Sequence, residues 1–202
     1  MPSFHTQSLL DELETDINRI VDITTKRFAN LPDEQLARQP VPDRWSIAQC
    51  LEHLNSYGQY YLPLLDKAIT LGEQQYKRAQ PEFRSSWLGN YFTETMRPKA
   101  DGRIAMPIKA FKNHTPAANL NVPAVLAEFL DQQQRLIDLL QRARQVNIVE
   151  LKVPISIARW IKLSVGDTFR FLIAHEQRHL LQAERVANGL PETRILGNKT
   201  PT

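Results

Sequence analysis

Apolar residues recur at three- and four-residue steps in four stretches of the chain, and that period predicts four helices. In the first, over residues 8–28, Leu10, Leu13, Ile17, Ile20, Val21, Thr24 and Phe28 make one stripe. Asn30, Leu31 and Pro32 end it, because the residue before a proline is pushed out of the helical region. The second begins after Trp45. Ser46 is a good N-cap, and Gln49 three residues later completes a capping box. It runs to Leu71, with Gly72 as a left-handed C-cap and a kink or break near residues 59–63, where Pro63 falls. The third, over 123–144, opens on Pro123 and shows a broad face of Val125, Leu126, Phe129, Leu130, Leu136, Ile137, Leu139 and Leu140. The fourth, over 164–187, starts at Ser164 with Asp167 in a second capping box and stops at Asn188, Gly189, Leu190 and Pro191. No long segment alternates with the period of a strand. The expected class is all-α.

Residues 72–121, between the second and third helices, far exceed the roughly 2–8 residues that usually join packed helices. This insert carries Phe83, Trp87, Leu88, Tyr91, Phe92, Ile104, Met106, Ile108 and Phe111, so it is expected to pack as a lid or short-helix subdomain over one end of a bundle. Its length permits a crossover connection. Residues 189–202 read as a loose tail, and residues 1–202 as one domain.

Composition narrows the function classes. Of 202 residues, 42% are hydrophobic and 23% charged, which excludes wholesale disorder. The single cysteine, Cys50, excludes an intrachain disulfide and any multi-cysteine metal cluster. With no stretch near the roughly 20 apolar residues of a membrane span and no apolar centre in the N-terminal segment, a cytoplasmic protein without membrane contact is expected. The net charge is +3, and the densest basic group, Arg135, Arg142 and Arg144, is interleaved with apolar helix positions, which argues against nucleic acid.

Histidine placement carries the chemistry. His175 and His179 stand one helical turn apart, so both imidazoles reach one ion from the same side. With Glu176 between them they spell the H-E-x-x-H of zinc proteases. Gln182 and Arg185 occupy the positions where the extended protease motif needs Gly and His, Glu192 lies beyond the helix stop, and no upstream sheet is expected. A zinc protease is disfavoured. A third ligand comes from the second helix, where His53 lies on the shoulder of a stripe centred on Ile47, Leu54, Tyr61 and Leu65. On the fourth helix, His175 and His179 lie on a shoulder of the stripe of Phe169, Leu172, Leu180, Ala183 and Ala187. His53 is about 10 Å from its helix start and the pair about 15 Å from its helix end, so they meet most easily if the two helices run antiparallel. An up-down-down-up order satisfies that.

A Trp-Ser start to the second helix, a histidine seven residues after that serine and H-x-x-x-H in the last helix together resemble the DinB/YfiT-like family of metalloenzymes. Trp87-Leu88-Gly89 and Pro107-Ile108-Lys109-Ala110-Phe111 resemble the insert of its larger members. The resemblance implies an up-down-down-up four-helix bundle, commonly a homodimer, with one divalent metal on His53, His175 and His179. It also implies thiol-dependent transfer or isomerisation among the family's activities.

Three neutral imidazoles leave a position open on the ion, as catalytic sites do, and suit zinc or nickel. Such an ion activates water or a low-molecular-weight thiol, which gives a hydrolase or a thiol transferase acting on a small molecule. Glu176 is the one carboxylate available as a base. It is otherwise a buried glutamate paired with an Arg or Tyr of another helix, or an acceptor for a ligand imidazole. Gln182 reads as a surface residue, Cys50 as core, and Trp45 as packing at the helix entry. Trp87 and Phe111 are lid packing or pocket wall, and His5 and His114 have no partner pattern. A non-catalytic metal- or ligand-binding dimer, and a structural module with metal-free histidines, are the alternatives.

Overall fold

The computed structural model describes residues 1–103 and 110–189. Six α-helices run α1 (Thr6–Ile23), α2 (Asp33–Ala37), α3 (Ile47–Gln74), α4 (Trp87–Met96), α5 (Val122–Ala143) and α6 (Val165–Asn188). The first continues through a wider π-helical turn over Thr24–Phe28. Four of the six are the helices that the apolar stripes predict. Leu190, Pro191 and Glu192, the tail to 202, and the insert residues Ile104, Met106, Pro107, Ile108 and Lys109 lie outside the described residues.

The helix starts follow their caps. Ser46 and Gln49 form the full reciprocal box on α3, and Asn121 accepts from the amide of Ala124 at the head of α5. On α6 only half of the expected box exists. Ser164 accepts from the Asp167 amide, but the Asp167 carboxylate turns to the insert. Two other expectations are corrected. Gly72 lies inside α3, which continues to Gln74, and an added Cβ there would come within 2.6 Å of Leu151. It serves close packing rather than capping. The expected break at Pro63 does not occur: α3 runs through it, with Pro63 on an exposed face where water can satisfy the carbonyl it leaves unpaired.

The chain is predominantly helical, and two small antiparallel sheets depart from the all-α expectation. β1 (Ser3–His5) pairs with β2 (Glu82–Arg84), tying the N-terminal segment to the insert. β3 (Lys152–Ile155) pairs with β4 (Ala158–Ser164), with an irregularity after Pro154. Val153, Ile155 and Leu163 bury the inner face of this hairpin, and the Ser156 amide donates to the hydroxyl of Tyr61. At four and seven residues, broken by Pro154, these strands are too short to stand out as alternation.

α3 packs on α5 and α6, and α1 packs on the same two helices. Asn55 and Gln59 of α3 bond Val125 and Glu128 of α5, while Asp66 and Glu73 farther along α3 pair with Arg142 near the end of α5. Arg144 reaches back to Asp11 and Glu14 early in α1, and Arg27 ties the end of α1 to Glu184 near the end of α6. Two apolar cores result. One includes Leu10, Ile17, Tyr61, Leu65, Ile69, Leu140 and Phe169; the other includes Ile20, Phe28, Ile47, Leu51, Phe129, Leu180 and Ala183.

A buried polar layer separates the two cores. It takes His53 and Asn55 from α3, Gln132 and Gln133 from α5, and His175, Glu176 and His179 from α6. Burying that many polar groups is costly unless they are partnered or ligate something. The insert closes over the layer from one side. Asp167 accepts from Ser85 Oγ (2.5 Å), Ser86 N (3.1 Å) and Ser86 Oγ (2.8 Å). Arg170 donates to Ser85 and Asn90, so α4 is latched onto α6.

Candidate metal centre

The capped start of α3 puts His53 at the level of the polar layer, and the one-turn spacing on α6 puts His175 and His179 opposite it. One ring nitrogen from each of the three lies within 4.8 Å of the other two. All three side chains are buried. His53 Nε2 and His175 Nε2 are 3.2 Å apart. Two imidazole nitrogens on a tetrahedral zinc ion are separated by about 3.3 Å. The spacing matches.

Neighbouring groups set the tautomers. His53 Nδ1 lies 2.6 Å from the backbone oxygen of His114, which can only accept, so Nδ1 carries the proton and Nε2 presents its lone pair inward. His179 Nδ1 faces Gln182 Oε1 at 3.1 Å, with the same consequence for its Nε2. His175 Nδ1 has no hydrogen-bond partner among the described residues. Burial holds the rings neutral. It lowers His53 to about 4 and His179 to about 3, and pushes His175 well below the ordinary imidazole value. The neighbouring imidazoles and Arg178 lower His175 and His179 further. Neutral imidazoles with lone pairs converging on one point are what a divalent cation requires. The donor set fits such an ion.

Aromatic rings wall the site. Trp45 packs on His53 and His179 at centroid distances of 4.8 and 5.7 Å, and Tyr57 meets His175 edge-on at 4.4 Å. The open side is a cleft of about 670 Å³ whose walls include the three histidines, Trp45, Tyr57, Phe111, Gln182 and three arginines. Trp45 is therefore part of the site as well as of the helix entry. Phe111 lines the cleft, whereas Trp87 stacks on Tyr91 away from it.

Glu176 is not among the cleft-lining residues. Its Oε1 accepts from Gln133 Nε2 at 3.2 Å, and its Oε2 has no partner among the described residues. The interhelical partner is thus a glutamine, not the Arg or Tyr expected. Burial raises this carboxyl to about 7. Cys50 is fully buried, with burial pushing its thiol up to about 12, and stands in the apolar core rather than among the metal-ligating group. Such a thiol is inert.

Two contributors escape the sequence reading. His114, far off in the insert, gives its carbonyl to His53, bonds Ser56 Oγ through its ring Nδ1 (2.9 Å) and stacks on Tyr57 at 4.0 Å. No spacing pattern marks a contact made through a backbone oxygen. Gln182 orients His179, and its position three residues on from that ligand was the available signal. His5 lies apart, beside Ser8.

A family model described as the DinB superfamily matches residues 17–183. No curated protein and no solved structure matches the chain.

Proposed function

Because the chain belongs to the DinB superfamily, we propose that it is a metal-dependent enzyme whose divalent ion, zinc or nickel, is held by His53, His175 and His179. The observation that carries this reading is the convergence of three neutral imidazoles, two of them oriented by hydrogen bonds, at the wall of a cleft. In this reading α1, α3, α5 and α6 form an up-down-down-up bundle. The pairing of early with early and late with late residues between α3 and α5, and of Arg144 with the start of α1, supports it.

When bound, the cation supplies the Lewis acidity that makes a thiol or a water nucleophilic near neutral pH. The chain's own residues favour the thiol. Water must surrender a proton to a base, and among the described residues no carboxylate lines the cleft. A thiol starts from a pKa of about 8.5, so beside the ion it would release its proton to solvent near neutral pH without a carboxylate in the cleft. We therefore read the reaction as transfer of a low-molecular-weight thiol to a small electrophile, ahead of hydrolysis. Glu176, bonded to Gln133 and outside the cleft lining, then serves as a buried interhelical group rather than as a proton acceptor for substrate. The His114 carbonyl and the Gln182 amide oxygen hold the His53 and His179 rings in place, and Trp45 and Tyr57 keep water from their edges.

The test is a screen of electrophile–thiol pairs beside esters and amides, with and without chelator. The reading predicts chelator-sensitive consumption of thiol, restored by zinc or nickel. Chelator-insensitive turnover, or turnover of esters and amides alone, contradicts it.

A further inference from the structure

Charge and apolarity are segregated in the cleft. Its described lining residues include Arg44, Arg178 and Arg185 and no aspartate or glutamate. Arg178 is buried and donates to the Thr95 carbonyl at 3.3 Å, and Arg185 donates to the Gly102 carbonyl at 2.7 Å. The carbonyl anchor on Arg185 positions its guanidinium without neutralising it. Arg44 and Arg185 are exposed and form no ion pair with the described carboxylates. These two guanidinium groups carry positive charge that no described carboxylate offsets, and an anionic ligand relieves it.

A second cavity of about 200 Å³ adjoins the first, sharing Tyr57, Met96 and Phe111 as walls. Its remaining lining is almost wholly apolar, with Tyr61, Phe92 and Phe171 among its rings. Phe171 also stacks on the His175 ring at 5.8 Å, so this annex begins beside a ligand of the proposed ion. An apolar cavity of about 150 Å³ accepts a benzene ring. The annex therefore takes an aryl group or a short acyl chain. The main cleft is of the size that small-molecule sites have, about 300–1,000 Å³.

We propose that the molecule reacting at this centre is an amphipathic anion, with its carboxylate held by Arg44 and Arg185 and its aryl or short acyl group lodged in the aromatic annex. This rests on the proposed function for where the reaction occurs, while recognition itself rests on the arginines and the annex.

The test is calorimetric titration of the full chain, metal-free and zinc-loaded, with four probes: 4-phenylbutyrate, 4-phenylbutanol, 4-phenylbutylamine and acetate. The acid should bind about tenfold or more tightly than the alcohol and the amine, as a charge-assisted contact allows. Acetate, lacking the ring, should bind about tenfold or more weakly than the acid. Replacing both exposed arginines (R44Q with R185Q) should remove the preference for the acid and leave the alcohol unchanged, and Phe92→Ala should weaken acid and alcohol alike. Equal binding of acid, alcohol and amine, an acid preference that survives R44Q/R185Q, or no binding of any probe at millimolar concentration overturns the proposal. Zinc content measured on the same samples separates the two ideas. Bound zinc in the loaded sample without acid preference defeats this inference alone, and acid preference in protein that takes up no zinc on loading defeats only the metal reading.

Discussion

His53 of α3 donates its Nδ1 proton to the backbone oxygen of His114 at 2.6 Å, across 61 residues of sequence. The insert thereby sets the tautomer of a ligand on the bundle. What holds that carbonyl in place is the His114 ring, through Ser56 and the stack on Tyr57. His114→Ala keeps the carbonyl and removes both restraints. Zinc affinity, measured by competition with a chromophoric chelator, is expected to fall about tenfold, the lower end of losses for groups that orient metal ligands. Unchanged affinity would show that the two restraints on the His114 ring do not govern the ligand.

The neutral histidines set an acid limit on stability. Burial takes His53 down to about 4 in the folded chain, so between the unfolded value near 6.5 and that level the unfolded chain binds more protons. The stabilisation is fully present above 6.5 and drains away as pH falls. At pH 5, His53 alone accounts for about 2 kcal/mol of loss relative to pH 7.5. Urea titrations of metal-free protein at the two pH values should show this loss, and His53→Asn should reduce it. An equal loss in both proteins would place the effect elsewhere.

Glu176 has the opposite sign. Its carboxyl is raised to about 7, so the folded chain holds its proton where the unfolded chain has lost it. That contribution is complete below about 4.5 and disappears as pH rises through 7. Glu176→Gln keeps the shape and a hydrogen-bonding partner for Gln133, and abolishes the burden of an ionising group. In metal-free protein at pH 8 it should stabilise by up to about 3 kcal/mol, with little change at pH 4.5. Destabilisation at pH 8 would mean that the ionised carboxylate has a partner in the fold.

Gly89 lies under the latch that holds α4. An added Cβ would come within 2.1 Å of the Asp167 carboxyl carbon, and Asp167 is pinned by Ser85 and Ser86. Gly89→Ala must therefore displace α4 rather than rotate a loose side chain, at about 1–3 kcal/mol. Differential scanning calorimetry and protection of α4 amides against hydrogen exchange read this out. Wild-type stability with unchanged α4 protection would refute the rigid latch.

The long helices and the three histidines were legible because both depend on one periodicity. Once Ser46 and Ser164 fix the helix starts, the faces of His53, His175 and His179 follow. Contacts made through backbone atoms or between distant loops leave no such trace. The carbonyl of His114 is one case, and the turn of Asp167 away from its own cap toward Ser85 and Ser86 is another. Gly72 was misread because a glycine at a helix end and one packed against Leu151 look alike in sequence. The burial of Glu176 followed from its place on the apolar stripe. Its partner, Gln133, did not, since the azimuth of α5 relative to α6 is set by packing.

The most direct measurement is metal content by mass spectrometry after stripping, reloading with zinc or nickel, and desalting. One equivalent per chain in the wild type, lost in both His53→Ala and His179→Ala while circular dichroism shows both variants folded, is the expected result. No retained metal in the wild type, or a full equivalent retained without His53, would contradict a shared three-histidine centre.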